Sequence, residues 1–542
     1  MFEVFKMKRI NCLVLLFFCT FSSQIISQVD DSWDTLVAGG DVIIARREHD
    51  YVARHGMDWP FRSVTKYLKD ADACLVNLET CIALGGKPAW KGERNPCYFR
   101  ARPEMLNILI KAGIDIVTCA NNHAGDYGIE SVLETIYWTK KAGLVSTGVG
   151  ENPKQALRPR LVMIGNTRVA ICGMDTTMPS YCVSEGRPGT NHVPEGDLEI
   201  FEARINWLSK WAKRRCDILI LTIHWGRNWD RITSNIHRKM ARMAIDAGVD
   251  LIIGHSAHRL QGVEIIKNRM VVYDMGNLMI DGIYRPQGQL GGIFKFFISK
   301  KGVHRLEMIP VWLPAARTVI PTREQRKQIL SEMKDLCNNL GTNLKIEKNK
   351  YGEDIGVIEI KDPKVSPKGS LLDGLEFIKL PRTRHLKPPR AEGVIVETLP
   401  KEAKKIDPPI EIYPGIELVG YNLPKEAEQG TQIRVRTWWR ITKKINSPLL
   451  VSLELISGGK IVRSARYNRH DPGDWVMPFR YMKKGEIVED DYPARLGRAV
   501  PPGPCEIRAL IYDPTKPKGK RKSKNSFTLG IVDIIDWQIK DR

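Results

Sequence analysis

Through the first half of the chain, short apolar runs rich in β-branched residues alternate with stretches in which apolar positions recur every three or four residues. The runs fall at 36–38, 73–76, 114–119, 169–173, 218–223, 251–253 and 270–273, and the helical patterns at 103–112, 129–142, 199–214 and 236–247. Continuous apolar strands alternating with helices predict a largely parallel sheet covered on both faces, the α/β class. An amphipathic helix at 324–340 and a strand at 355–360 complete a layered domain over 33–360. The stretch 361–409 is rich in Pro, Lys and Arg, lacks periodicity and reads as a linker. From 410 to 539 the pattern changes to short alternating strands, including 431–441, 449–457, 505–512 and 526–534, separated by Pro, Gly and Asn/Asp turns. That pattern predicts a C-terminal all-β sandwich.

Composition refines this picture in three ways. A chain of 542 residues with 43% hydrophobic and 27% charged residues is folded and too long for one ordinary core. The formal net charge of +21 is spread along the sequence, which predicts attraction to polyanions such as acidic wall polymers, phospholipid surfaces or phosphate-bearing substrates. No nucleic-acid partner is expected, because RNA-recognition, zinc-finger and helix-turn-helix signatures are missing. The basic run 516–524 reads as a solvated hairpin tip, with contact to an anionic polymer or membrane surface as the alternative.

Near the start, Lys8 and Arg9 precede an apolar stretch, 12–21, too short to span a bilayer, with polar residues to 28. Residues 1–28 therefore read as a signal peptide for a secreted, periplasmic or envelope protein, with an uncleaved signal anchor as the alternative. Neither Cys12 nor Cys19 follows a lipobox. The other nine of the eleven cysteines include no C-x-x-C pair. Cys119 and Cys172 sit in apolar runs and read as small core residues, and Cys81 with Cys97 is a candidate disulfide.

The chemical signal is one event repeated: an apolar strand ends and a metal-ligand residue type follows. It occurs at Gly40-Asp41, Asn77-Leu78-Glu79, Asn121-Asn122-His123, His224-Trp225-Gly226 and Gly254-His255-Ser256-Ala257-His258. Functional groups in open parallel sheets gather beyond the carboxyl ends of the strands, so these endings converge. Carboxylate, amide oxygen and imidazole together suit zinc, manganese or iron. Such an ion lowers the pKa of water from about 15.7 toward roughly 7, providing a nucleophile without Ser or Cys. His123 is a candidate proton donor to a leaving oxygen, oriented by Asp126. Arg46 is a candidate for binding a substrate carboxylate or phosphate, with a structural salt bridge as the alternative. Trp225 and Trp229 either wall the cleft or pack in the core. Trp438, Trp439, Trp475, Tyr481 and Tyr492 either form a sugar platform or fill the sandwich.

These motifs, with Arg46, Asp126, Gly128 and Gly276-Asn277, resemble in order and spacing those of the capsule-synthesis CapA family, over roughly residues 34 to 345. The resemblance implies a role in capsule or poly-γ-glutamate production, an anionic polymer as partner, a membrane-bound polymer synthase as a further partner, and a calcineurin-like metallophosphoesterase fold. Carried over by position, Asp41 and His258 would serve one ion, Asn122, His224 and His255 another, and Glu79 would bridge. Two departures stand out: Ile43 replaces the His of D-x-H, and the last motif is G-H-x-x-H with one residue more than the pattern. The site therefore holds one or two ions. Three functions follow: a capsule-polymer biosynthesis or export protein, a metal-dependent phosphodiesterase or amide hydrolase of the envelope, and a non-catalytic polymer-binding scaffold.

Overall fold

In the computed structural model the apolar runs become strands that extend past their apolar centres. Residues 33–93, 96–280, 286–366, 368–381, 383–463, 468–496, 500–517 and 519–536 are described. The expected signal peptide at 1–28 and the last residues of the 410–539 module lie outside them. No helix among the described residues is long and apolar enough to cross a membrane.

In chain order the principal strands of the first half are β1 (Asp34–Val42), β2 (Ala73–Leu78), β3 (Ile116–Thr118), β4 (Val145–Thr147), β5 (Arg160–Ile164), β6 (Thr167–Asp175), β7 (Ile218–His224), β8 (Leu251–His255), β9 (Val263–Ile266), β10 (Arg269–Val272), β11 (Asn277–Met279), β12 (Leu290–Ser299), β13 (Gly302–Trp312), β14 (Lys345–Lys348) and β15 (Asp354–Glu359). They form two mixed sheets instead of the single, largely parallel one expected. The first runs β14-β15-β13-β12-β1-β2-β3-β4 and the second β9-β10-β8-β7-β6-β5. Strands β1 to β4 are parallel, as are β6, β7, β8 and β10. The antiparallel hairpin β12–β13 flanks β1.

Period-two alternation sorts the side chains between layers. Leu36 and Ala38 face inward with Leu75, Ile171, Ile220, Ile253 and Phe294 to form the core between the sheets. Val37, Val76 and Val117 face outward under Leu106 and Leu109, the latter from the helix Asn107–Ala112. Across the molecule, Leu219, Leu221 and Ile252 pack beneath Phe201, Leu208, Met240 and Ile245 of the helices Leu198–Ala212 and Asn235–Ala247. Both of these helices start at a side-chain cap, Asp197 accepting from Ile200 N and Ser234 from His237 N. A strand between a sheet and a helical layer is buried on both faces, as is one between two helical layers, so periodicity does not distinguish one sheet from two.

Of the stretch 361–409, expected as a linker, residues 378–386 are strapped to the first half and residues from 391 on join the second. Ile378–Lys379 pairs with β5, Arg384 N donates to Ala142 O at 2.8 Å, and Leu386 is buried beside Leu106 and Leu109. Its partners are helix ends and a sheet edge, which leave no period in the sequence. From Ile395 on, two mostly antiparallel sheets share a core that includes Trp439, Leu453, Phe479 and Ile507. Trp438, Trp439, Trp475 and Tyr492 are buried and Tyr481 is half-buried, so they fill space and make no exposed sugar platform. Cys81 and Cys97 are free thiols; Cys81 Sγ donates to Phe99 O at 3.3 Å, so the candidate disulfide is not formed.

The two halves belong to one compact unit that begins at Trp33. Arg100, buried, donates to Asp474 O at 2.6 Å and to Gly473 O at 3.2 Å. Arg102, 1% exposed, pairs with Glu104 at 2.6 Å and directly with Asp471. Tyr127 Oη donates to Asp474 at 2.8 Å. A turn of the second half is thus held by the segment that leads into the strand-end cluster.

Candidate metal centre

The register of the parallel strands sets the predicted ligands side by side. Asp41 lies opposite Asn77 across β1 and β2, and opposite Asn277 across β1 and β11. His224 lies opposite His255 across β7 and β8. Gly40 permits the crossing behind Asp41: a Cβ there would stand 1.8 Å from Gly276 O, while Asp41 N donates to that same oxygen at 3.0 Å. The loop after β8 needs left-handed backbone at Ser256 (φ 106°) and His258 (φ 55°). Asp274 holds it there, accepting from Ala257 N and Gly276 N, both at 2.7 Å.

At the centre is the fully buried Glu79. Its Oε1 lies 3.8 Å from the Nε2 atoms of His123, His224 and His258. His258 Nδ1 lies 3.1 Å from Asp41 Oδ2 and 3.0 Å from Asn277 Oδ1. His255 Nδ1 lies 3.8 Å from Asp41 Oδ1, and His224 Nε2 lies 3.1 Å from Asn122 Oδ1. Asp41, Glu79 and His258 each offer a ligand atom within 4.8 Å of the others. Ligands on one ion at about 2.1 Å stand roughly 3.0–3.6 Å apart, so the 3.1 and 3.8 Å contacts are close to that spacing, and the triad bounded at 4.8 Å has to close by up to about 1 Å. Both oxygens of Glu79 and both ring nitrogens of His255 are buried without a hydrogen-bond partner among the described residues. Such groups are costly to bury unpaired, and a cation between them satisfies both types. The residues fit a borderline divalent ion.

The electrostatics follow from this burial. Burial, only partly opposed by the His258 charge, pushes the Glu79 carboxyl up to about 8. Burial also opposes the His258 imidazolium, but Glu79 and Asp41 outweigh it and raise its pKa to about 10. For Asp41, burial is overcome by the His258 hydrogen bond and the surrounding imidazoles, which hold the carboxyl well below its usual range. Burial pulls His255 down to about 4, and His224 is lowered for the same reason.

His123 belongs to a second, linked group. Its Nδ1 lies 2.6 Å from Asp126 Oδ2, which also accepts from Phe99 N at 2.7 Å. The buried Lys91 donates to Asp126 Oδ1 at 2.7 Å and to Asn122 O at 2.8 Å. Burial pulls the His123 pKa down to about 4 although Asp126 opposes it, so the ring is neutral at physiological pH. Arg46 sits one ring further out: its guanidinium carbon is 4.4 Å from the centre of Phe99, which stacks 4.0 Å from His123. Trp229 tilts over His258 at 5.7 Å, whereas Trp225 is core, donating to Tyr273 O at 2.9 Å.

All the predicted site residues except Arg46 therefore meet in one network, and Arg46 borders it. Sequence reasoning passed over Lys91, Asp175 and Asp274 and did not assign Asn77 a role. Asp175 and Asp274 follow apolar strands, so the strand-end rule applied evenly would have found them. Asp175 lies opposite His224 and accepts from Thr177 N at 2.9 Å. Asn77 Nδ2 donates to Asp41 Oδ1 at 2.7 Å and lies 3.2 Å from His224 Nδ1, bridging the two sheets. Lys91 lies in an irregular segment and carries no pattern.

Comparison with known proteins finds relatives of the sequence that carries this site. Residues 35–282 match the family model described as bacterial capsule synthesis protein PGA_cap. A capsule biosynthesis protein CapA of Bacillus anthracis is 27% identical over 279 residues, 51% of this chain and 67% of its own. The PGA biosynthesis protein CapA of Bacillus subtilis is 25% identical over 319 residues, 58% of this chain and 81% of its own. A Mycobacterium tuberculosis protein named for polyglutamine synthesis is 30% identical over 230 residues, 41% of this chain and 60% of its own. Among solved structures, a beta-glucosidase from Listeria innocua aligns over 79% of this chain and 54% of its own at 10% identity, with a TM-score of 0.14, too slight a likeness to bear on the fold.

Proposed function

Residues 35–282 of this chain belong to the CapA family of bacterial capsule synthesis proteins, and from that premise we propose that the protein acts outside the cytoplasm in making or exporting an anionic capsule polymer such as poly-γ-glutamate. In this reading Asp41, Glu79, Asn122, His224, His255 and His258 hold one or two divalent ions. The observation that carries it is the buried, unpartnered Glu79, with three imidazole nitrogens each 3.8 Å from one of its oxygens.

A bound divalent ion supplies Lewis-acid polarisation of a substrate oxygen. The chain's own groups do the rest. Asp126, fixed by Lys91 and Phe99 N, keeps a proton on His123 Nδ1 or accepts one from it, and turns Nε2 toward Glu79 and the strand-end cluster. With the Nδ1 proton held by Asp126, Nε2 is free to take a proton from an attacking water and can afterwards hand that same proton to a departing oxygen or nitrogen. Glu79 and Asp41 are sealed from solvent, whereas Asn122, Arg46 and Trp229 are half-exposed and form the open side through which a substrate arrives.

A second reading, an ion-holding scaffold without turnover, is favoured by Ile43. Its side chain packs with Ala45 and Phe99 in a small apolar cluster where the phosphoesterase pattern has a ligand. Elemental analysis of full-length protein purified without chelator separates the readings when joined to a hydrolysis screen on γ-glutamyl peptides and phosphodiesters. At least about one ion per chain is expected, and little or none in Glu79→Gln. Metal-free protein from metal-replete cells refutes the metal reading. Bound metal with no turnover, equal in wild type and His123→Ala, selects the scaffold.

A further inference from the structure

A cavity of about 460 Å³ opens where the helix Arg47–His55 meets the strands Leu450–Ser457 and Gly503–Tyr512. Its lining carries five cationic side chains, Arg47, Arg54, Arg469, Arg521 and Lys522, against one carboxylate, Asp50. Two tyrosines organise them. Arg47 Nη2 donates to Tyr51 Oη at 2.8 Å, and the Arg54 guanidinium lies 4.7 Å from the Tyr51 ring. The Arg469 guanidinium stacks 3.6 Å from the Tyr512 ring, and Arg521 Nη1 donates to Tyr512 Oη at 3.1 Å.

Neutralisation within the lining is incomplete. Asp50 is taken up by Arg54 through two hydrogen bonds, 3.0 and 2.9 Å, and Lys522 pairs with Glu454. Arg469 and Arg521 have no carboxylate within ion-pairing distance among the described residues, and Arg469 Nε is buried without a hydrogen-bond partner. Burial pulls the Arg469 pKa down; Tyr512 and the Asp50 charge oppose this only in part, and the charges of Arg47 and Arg521 add to it. Guanidinium forks stacked on aromatic rings lose little freedom on taking a planar oxyanion. Seven of the eleven lining residues lie beyond the segment 35–282 that matches the capsule family.

The cavity wall follows directly along the chain from the border of the strand-end cluster. Arg46, beside Phe99 and His123, and Arg47, in the cavity wall, are consecutive residues, so their Cα atoms are about 3.8 Å apart. Resting on the polymer reading above, we propose that this cavity is a carboxylate-binding subsite that grips one stretch of a polyanionic chain while another stretch lies at the strand-end cluster.

The test is fluorescence anisotropy of a labelled γ-linked oligoglutamate with full-length protein at low salt. Wild type is compared with Arg521→Gln and Arg469→Gln, with neutral oligoglutamine and short polyphosphate as competitors. Each Gln variant should bind about ten-fold or more weakly, with unchanged metal content, and oligoglutamine should not compete. Arg521, at the loop, keeps the test valid if replacing the stacked Arg469 lowers stability. Variants that bind oligoglutamate as tightly as wild type overturn the subsite and leave the polymer reading intact. Binding of polyphosphate alone, lost in the variants, overturns the carboxylate assignment and the polymer reading while keeping an anion pocket. Binding of neither anion overturns both.

Discussion

Replacing Asp471 by Asn removes one charge from a buried pair without changing its shape. Arg102 is 1% exposed and divides its donors among Glu104, Asp471 and Trp475 O. At a contact distance near 3 Å and an effective dielectric of about 20, each ion pair is worth roughly 5 kcal/mol before desolvation. The substitution also relieves the burial of one carboxylate, and Glu104 still faces the guanidinium. The net loss should therefore fall near the lower end of the roughly 3–5 kcal/mol seen when a buried pair is broken. Arg102→Met should cost more, because it strands both Asp471 and Glu104. Urea unfolding followed by tryptophan fluorescence and by far-ultraviolet circular dichroism reads both the size and the mode of the loss. If the clamp couples the halves, wild type should unfold with the two signals coincident. Asp471→Asn should move the midpoint down and separate the two signals as the β-rich half loosens first. A midpoint within about 0.5 kcal/mol of wild type, with coincident signals, refutes the idea that this pair clamps the halves together.

Three further outcomes are expected. Glu79→Gln should leave metal-free stability nearly unchanged at pH 6.5, where a carboxyl pushed up to about 8 is already largely protonated. The stabilisation that added zinc or manganese gives wild type, about 2.7 kcal/mol at a hundred times Kd, should vanish in that variant; thermal melts with and without chelator measure both quantities. Burial raises Asp115 from 3.8 to about 6, so the native state holds the extra proton and stability falls as pH rises through this window. Asp115→Asn should gain up to about 3 kcal/mol above pH 6 and nothing below pH 3.8, as urea midpoints across pH will show. Gly40→Ala should abolish soluble expression or metal binding, because its methyl group would stand 1.8 Å from the Gly276 carbonyl oxygen; normal yield and metal content would contradict the close crossing.

The site was more legible in the sequence than the sheet arrangement was. Asp41, Glu79, His224 and His255 announce themselves because a strand ends where its apolar run ends, and parallel register does the gathering. The hairpin β12–β13 escaped notice because most of its residues are buried on both faces, which erases alternation. Lys91 escaped because its role depends on Asp126, a residue 35 positions away with which it shares no periodic relation. The division of ligands between two sheets was equally hidden. It is visible only in contacts such as Asn77 with His224, whose 147-residue separation no local pattern encodes.

The strap within 361–409 has a consequence for traffic. Two-part proteins often admit substrate by swinging apart, the default when the parts meet through a small polar surface. Here the connecting segment is stitched to β5 at Ile378–Lys379, to Ala142 through Arg384 and to the outer core through Leu386, while Arg100 and Arg102 anchor the far half from within. The slack needed for a hinge is used up along the way. Under the proposed function, a polymer would have to thread past Asn122, Arg46 and Trp229 with the gate already ajar, and disulfide staples across the two halves should leave its passage unimpeded.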